Sequence, residues 1–208
     1  MNNRTGKKSI VNEDLFINKS EFNEYFIGLM ATDGYIGKTD YTIQISLKDK
    51  EILEVFSKIT NVPIYERFDK RFNSKIYSYR FRNKNLHKYF SQIGITNNKT
   101  KNIKIKIPLT NHILRGIFDG DGSIFKNNYN NNIINIVSAS EEFILQIKNY
   151  LENNNVRISS LIFHNNVFNI NIYKKSEVKN FYNLIYENAT LYIERKYIRF
   201  NAISNGNI

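Results

Sequence analysis

Apolar residues in this chain recur with two periods that take turns along its length. Phe22, Phe26, Leu29 and Met30 share one face of a 3.6-residue helix, and the following segment changes to period two. After a short strand over 35–38, Tyr41, Ile43, Ile45 and Leu47 face one way, while Thr42, Gln44 and Ser46 face the other. Asp49 opens a helical stretch over Ile52, Leu53, Phe56 and Ile59. Beyond Pro63, residues 64–68 and 75–82 read as a hairpin, with Tyr77, Tyr79 and Phe81 opposite Ser78, Arg80 and Arg82. A helix over Leu86, Tyr89, Phe90 and Ile93 ends at Gly94.

The same order then returns. Thr110 caps a helix that carries Ile113, Ile117 and Phe118 on one face. Strands over 123–127 and 132–138 flank an Asn-rich turn, and a helix over 140–153 buries Phe143, Ile147, Tyr150 and Leu151. Residues 156–164 and 167–173 form a hairpin across Asn165-Asn166, in which Phe168, Ile170 and Ile172 alternate with Asn169 and Asn171. A helix over Val178, Phe181, Leu184 and Ile185 follows, then a short one within 189–201. The pattern predicts an α+β protein of two pseudo-symmetric α-β-β-α-β-β-α repeats, each with a four-stranded antiparallel sheet. Residues 1–20, with Arg4, Lys7 and Lys8, read as a loose basic arm, 21–94 as the first repeat and 110–201 as the second. Residues 95–109 read as a basic linker carrying Lys99, Lys101, Lys104 and Lys106.

Each repeat opens on the same short motif. Phe26-Ile27-Gly28-Leu29-Met30-Ala31-Thr32-Asp33-Gly34 and Leu114-Arg115-Gly116-Ile117-Phe118-Asp119-Gly120-Asp121-Gly122 place their terminal aspartates 88 residues apart. Gly28 and Thr32 are one turn apart, as are Gly116 and Gly120, so each helix has a strip of small residues on which another backbone can lie. Gly34 and Gly122 stand where a left-handed residue would end a helix. Packing the two helices along these strips brings Asp33 and Asp121 together at two helix C-termini. Carboxylates there oppose the helix dipole and each other. A divalent cation with a preference for hard oxygen ligands, such as Mg²⁺, resolves the conflict. Asp119 is replaced by Ala31 in the first copy, which fits a structural role at the helix end.

The paired motifs resemble those of LAGLIDADG homing endonucleases in their single-chain, two-repeat form, and the resemblance covers about residues 20 to 200. It implies a monomeric, Mg²⁺-dependent endonuclease that cuts a long, non-palindromic double-stranded DNA site, with Ca²⁺ supporting binding without cleavage. Asp33 and Asp121 match the family's metal-binding acids. By position, Gln44 and Lys48 match the polar residues that hold water around the metals in the first repeat, and Asn135 in the second, where Ala139 stands at the Lys48 place. Lys99 and Lys196 resemble the family's active-site lysines. The family reads DNA with its sheets, which assigns Thr42, Gln44, Ser46, Ser78, Arg80 and Arg82 to one face and Asn135, Asn169 and Asn171 to the other. Without the resemblance, these faces are wet surfaces of antiparallel sheets and the lysines are solvated.

Composition narrows the alternatives. A net charge of +11 over 208 residues favours a polyanionic partner, although Lys-rich codon usage alone raises it too. The chain has no cysteine, which excludes thiolate metal sites and disulfide scaffolds. His87, His112 and His164 are scattered, unlike a histidine-metal nuclease. Asp119-x-Asp121-Gly122 fails as a calcium loop, because Ile124 and Asn130 occupy the places of the required Gly and acid. No apolar run approaches a membrane span, so the expectation is an intracellular protein with no membrane partner. Abundant Asn, Ile, Lys and Tyr suggest an AT-rich genome, whether organellar, phage or bacterial. Two readings stay open beside the nuclease: an RNA maturase that binds its host intron RNA, and a DNA-binding regulator without catalysis.

Overall fold

The computed structural model of the protein describes residues 11–71, 73–97, 99–127 and 132–204. In the first half α1 (Asp14–Ile17) and α2 (Glu21–Thr32) precede β1 (Gly34–Ile36), β2 (Thr42–Leu47), α3 (Lys50–Thr60), β3 (Ile64–Asp69), β4 (Ser74–Arg82) and α4 (Lys84–Gln92). A short α5 (Lys99–Asn102) lies in the connection. The second half runs α6 (Asn111–Asp121), β5 (Ser123–Lys126), β6 (Asn132–Ser138), α7 (Glu141–Asn153), β7 (Ser160–His164), β8 (Val167–Ile172), α8 (Lys175–Tyr186) and α9 (Glu194–Ser204). Each half has a four-stranded antiparallel sheet, in the order β1-β2-β4-β3 and β5-β6-β8-β7. The predicted repeat order and α+β class are those observed.

The motif helices start as their sequences require. Ser20 Oγ accepts the Asn23 amide at 3.2 Å, and Thr110 Oγ1 accepts that of Ile113 at 3.2 Å. Alternation in the strands then puts Ile43, Ile45, Tyr79 and Phe81 against α2 and α3, and Ile134, Ile136, Ile170 and Ile172 into the second core.

α2 and α6 lie together with no side chain between them at their crossing. A Cβ on Gly28 would stand 2.8 Å from Gly116 Cα, and one on Gly116 would stand 2.9 Å from Gly28 Cα. The neighbours are reciprocal too: Gly28 meets the Ile117 nitrogen and Gly116 that of Leu29, each 2.9 Å from the added carbon. Reciprocal contact between residues 88 apart is the signature of a twofold axis relating the repeats, with the two helices running in the same direction.

Four local expectations are corrected. Residues 11–17 are no loose arm, since Val11 is buried and Phe16 is fully buried against Phe22, Phe26 and Phe81. Residues 1–10, with the basic Arg4, Lys7 and Lys8, lie outside the described residues. Gly122 has φ −74°, and Gly94 is the one described glycine in the left-handed region. Gly34 and Gly122 are small for steric reasons: a Cβ on Gly34 would meet Met30 Cα at 2.5 Å, and on Gly122 the Phe118 carbonyl at 2.6 Å. The connector packs as a structural strap in which Ile95, Ile103 and Ile105 are buried. Gln146 on α7 clasps the Ile105 backbone, accepting its amide at 3.1 Å and donating to its carbonyl at 2.7 Å. Tyr41 takes φ 54° and is exposed, so β2 begins one residue later than the alternation suggests.

Substituting Gly116→Leu should lower the stability by about 3 kcal/mol or more, because the new side chain meets backbone, which cannot rotate away. Lys179→Leu, on the exposed face of α8, is the control. Thermal melts that give both variants the same midpoint would show that the two helices are not in contact.

Candidate functional site

The parallel crossing carries both motif aspartates to the same end. The Asp33 amide donates to Leu29 O at 2.9 Å as the residue that closes α2, and Asp121 is the last residue of α6. At that end Gly120 faces the other helix, and a Cβ there would come within 2.6 Å of Asp33 Oδ2. The Thr32 hydroxyl donates to Asp33 Oδ2 and to Leu29 O, each at 3.2 Å. Asp33 is half-buried and Asp121 is exposed. A cleft at Asp33 is lined by Asp33, Ser46, Lys48, Asp49, Gly120 and Arg195. Among the described residues no group of three or more His, Cys, Asp or Glu side chains converges. The chain therefore offers two carboxylates and the space over Gly120. That donor set suits Mg²⁺, which is held by one or two carboxylates together with water and substrate phosphate.

Lys196 is buried, and its ammonium closes the end of α6. It donates to the carbonyls of Phe118 (2.8 Å), Gly120 (3.2 Å) and Gly122 (2.7 Å). A cation at a helix C-terminus is favourably placed against the dipole. Burial pushes its pKa down to about 8, and Asp119, Asp33 and Asp121 pull it the other way. The strain expected from two carboxylates at two helix ends is thus relieved at α6 by a charge from the chain itself. The sequence reading placed Lys196 at the site, but not against the backbone of its own motif helix.

Neighbouring charges tie the last helix to both repeats. Arg195 grips Asp49 through two bonds, 2.6 Å from Nε and 2.9 Å from Nη2. Asp49 therefore starts α3 without capping it by its side chain. Asp119 is buried and accepts from Tyr25 Oη (2.7 Å), Tyr186 Oη (2.5 Å) and the Ile193 amide (2.9 Å). Burial raises its pKa, while the three donors favour the carboxylate. Arg115 is also fully buried; it donates to Leu191 O at 2.7 Å, to Ile185 O at 2.8 Å and to Glu21. Sequence reasoning passed over Arg115, Tyr25 and Tyr186. The one available signal was a charged residue inside an apolar helix stripe.

The other predicted positions separate into groups. Lys48 shares the Asp33 cleft, whereas Gln44 lines a neighbouring concavity with Ser78, Arg80, Tyr65 and Arg67. Gln44 donates to Ser46 Oγ at 2.8 Å, and Ser46 bonds Ser78 at 2.9 Å. Arg80 lies over the Tyr65 ring, and Arg82 pairs with Asp40 at 3.3 Å. Thr42 faces outward by register but is buried; its hydroxyl donates to Asp40 at 2.7 Å, which makes it a support for the strand end. Asn135, Asn169 and Asn171 share the outer face of the second sheet, where Asn135 Nδ2 donates to Asn171 Oδ1 at 2.9 Å. Lys99 begins α5, and its side chain lies outside what is described.

Two family models match, one for each repeat. Residues 109–186 match the LAGLIDADG-like domain, and residues 22–106 match the WhiA LAGLIDADG-like domain. The chain carries two LAGLIDADG-like domains. No curated protein matches it in sequence. Among solved structures, the homing endonuclease I-WcaI bound to its DNA recognition sequence is 24% identical, with 84% of each chain covered and a TM-score of 0.59. Full-length WhiA from Thermatoga maritima is 16% identical over 94% of this chain, with a TM-score of 0.60, and this chain spans 65% of that protein. The meganuclease I-SmaMI bound to uncleavable DNA is 12% identical, covering 89% of this chain and 90% of its own, with a TM-score of 0.56. These structural likenesses are of fold. LAGLIDADG-like domains therefore account for the paired motif helices and for the two sheets flanking them.

Lys196 provides a pH test. Its amine binds a proton up to about 10.5 when unfolded but loses it near 8 when folded, so the cost of burying the charge is present in full below pH 8. Between those values the unfolded chain binds more protons, and stability rises with pH. Relative to Lys196→Met, the wild type should gain up to about 3 kcal/mol from pH 8 to 10.5. Asp33→Asn or Asp121→Asn should move the onset to lower pH. Parallel stability curves for wild type and Lys196→Met over that interval would contradict the assignment.

Proposed function

We propose that the protein is a site-specific endonuclease of double-stranded DNA that works with a divalent cation, Mg²⁺ for preference. One observation carries the reading: two parallel helices in close contact deliver Asp33 and Asp121 to one end of a pseudo-twofold axis, flanked by two sheets with polar outer faces. A cation bound there supplies an activated water and charge stabilisation at the phosphodiester. The chain's own residues do the remainder. Asp33 and Asp121 would hold the ion, one serving each DNA strand. Lys48, in the cleft with Asp33, offers a positive charge to the phosphate. Lys196 keeps the end of α6 closed beneath Asp121. The net charge of +11 draws the polyanion to the surface, and the sheets take up the grooves. The DNA bound to I-WcaI and to I-SmaMI in their structures supports the choice of partner. Among the described residues no helix is long and apolar enough to cross a membrane.

The second reading is a DNA-binding regulator that does not cut. It is favoured by the match of the first repeat to the WhiA type. Both readings use the same sheets and differ only in whether the aspartates hold an ion that acts on DNA.

Asp33→Asn, Asp121→Asn and the double variant separate them, assayed for binding and cleavage on one preparation with a randomised DNA library. Cleavage in Mg²⁺ should fall by about a hundredfold or more in each single variant. Binding should stay within about threefold, because the substitution removes negative charge near phosphate. Ca²⁺ in place of Mg²⁺ should leave wild type binding without cutting. A wild type that binds and never cuts supports the regulator, and a double variant that cuts at the normal rate would falsify the site.

Binding should also depend steeply on salt. Neutralising about 6–10 phosphates gives a slope of roughly −5 to −9 in log affinity against log salt. A slope near zero would remove DNA as the partner under either reading.

A further inference from the structure

The two outer sheet faces occupy equivalent places in the fold but differ in chemistry. In the first sheet Gln44 pairs with Arg80 across β2 and β4. The equivalent pair across β6 and β8 is Asn135 with Asn171. The first face also presents Arg67, which lines one concavity with Arg80, and Arg82 at the strand end. The turns below it add Lys38, Lys70 and Arg71. The strands and hairpin turns of the second sheet hold one Lys and no Arg, and that residue, Lys126, lies two positions from buried Ile124 in the same strand and so shares its inner side. In place of cations the second face shows Phe125, Ile133, Val137 and Ile162, all at least partly exposed, between the asparagines. It also lacks Asp and Glu.

These side chains select different base pairs. A guanidinium bonds two acceptors of guanine, an asparagine amide bonds adenine through one donor and one acceptor, and an apolar side chain packs on the thymine methyl. A carboxylate is the reader of the cytosine amine. The second face has the adenine and thymine readers and neither of the other two. Its amides are already held in the plane of the face: Asn171 accepts from Asn135 at 2.9 Å and donates to Ser160 Oγ at 3.2 Å, while Asn169 donates to Val167 O at 3.3 Å. Arg80, by contrast, lies over the Tyr65 ring, 5.6 Å from its centroid, which supports the guanidinium on the face for base contact.

The geometry points to a DNA target of two unlike halves, one containing guanines, read by the first sheet, and one composed of A·T pairs, read by the second. This inference rests on the DNA-binding reading above and adds the composition of the site. It also makes the first sheet, with the cations, the source of most of the salt dependence, and leaves the second to contribute selectivity with little counterion release.

The test is selection from a randomised double-stranded library by the full-length chain in Ca²⁺, for wild type, Arg80→Ala and Asn169→Arg. The wild-type consensus should have a run of A·T in one half and guanines confined to the other. Arg80→Ala should reduce guanine preference by at least about fivefold in the guanine half alone, and Asn169→Arg should create a guanine preference inside the A·T half alone. A wild-type consensus with guanines in both halves overturns the inference, whether or not either variant folds. Two variants that alter the same half overturn it too. If the library yields no enriched sequence at all, DNA reading fails together with this inference; a consensus of the wrong composition sinks the inference alone.

Discussion

The close contact of α2 and α6 is the constraint on which the molecule depends. Backbone can approach backbone this closely only where both helices lack a Cβ, and the requirement is met reciprocally at Gly28 and Gly116. The crossing sets the twofold relation of the repeats, and with it the angle between the sheets that each helix supports. It also determines that both helices end at one place. The placement of Asp33 and Asp121 on two separate helices is only as well defined as the helix packing beneath it, and here that packing is made of main chain.

The symmetry is broken where the second repeat receives the chain's last helix. Arg115 and Asp119 in α6 have Ile27 and Ala31 as their counterparts in α2. Around α2 the space is filled by rings, with Phe26 packed on Phe16, Phe22, Phe56, Tyr79 and Phe90. Around α6 it is filled by a hydrogen-bonded system that holds residues 185–193: Arg115 takes the carbonyls of Ile185 and Leu191, and Asp119 takes the amide of Ile193. A buried ion of this kind is costly unless each of its bonds is made, so it specifies one position for the segment. That position puts Lys196 under the end of α6 and Arg195 against Asp49 of the other repeat. A side chain of the last helix thereby becomes part of a site built by the first motif and the second.

The two sheets also combine a shared frame with unlike surfaces. Their backbones superpose in topology and register, since strand pairing depends on alternation and turn length, which the repeats share. Their outer faces carry no packing constraint, and so they have diverged to arginine on one side and asparagine on the other.

Much of this was legible in the sequence. Periodicity marked the helices and strands, because burial of one face imposes period 3.6 or period 2 on any sequence that folds this way. The doubled motif showed two repeats and paired Asp33 with Asp121, because small residues one turn apart have few uses other than close helix contact. Three features were decided only by the tertiary structure. Residues 11–17 and the connector read as loose because a single buried Phe16, or three isoleucines spaced by lysines, makes no long pattern; each is fixed by contacts with residues far along the chain. Gly34 and Gly122 looked like left-handed caps, and only the positions of Met30 and Phe118 reveal that the need was for space. The structural role of Asp119 was legible, but the partners of Lys196, Arg115 and Asp119 were out of reach, because a buried charge is held by the carbonyls, hydroxyls and amides that surround it, and those come from segments up to 94 residues away.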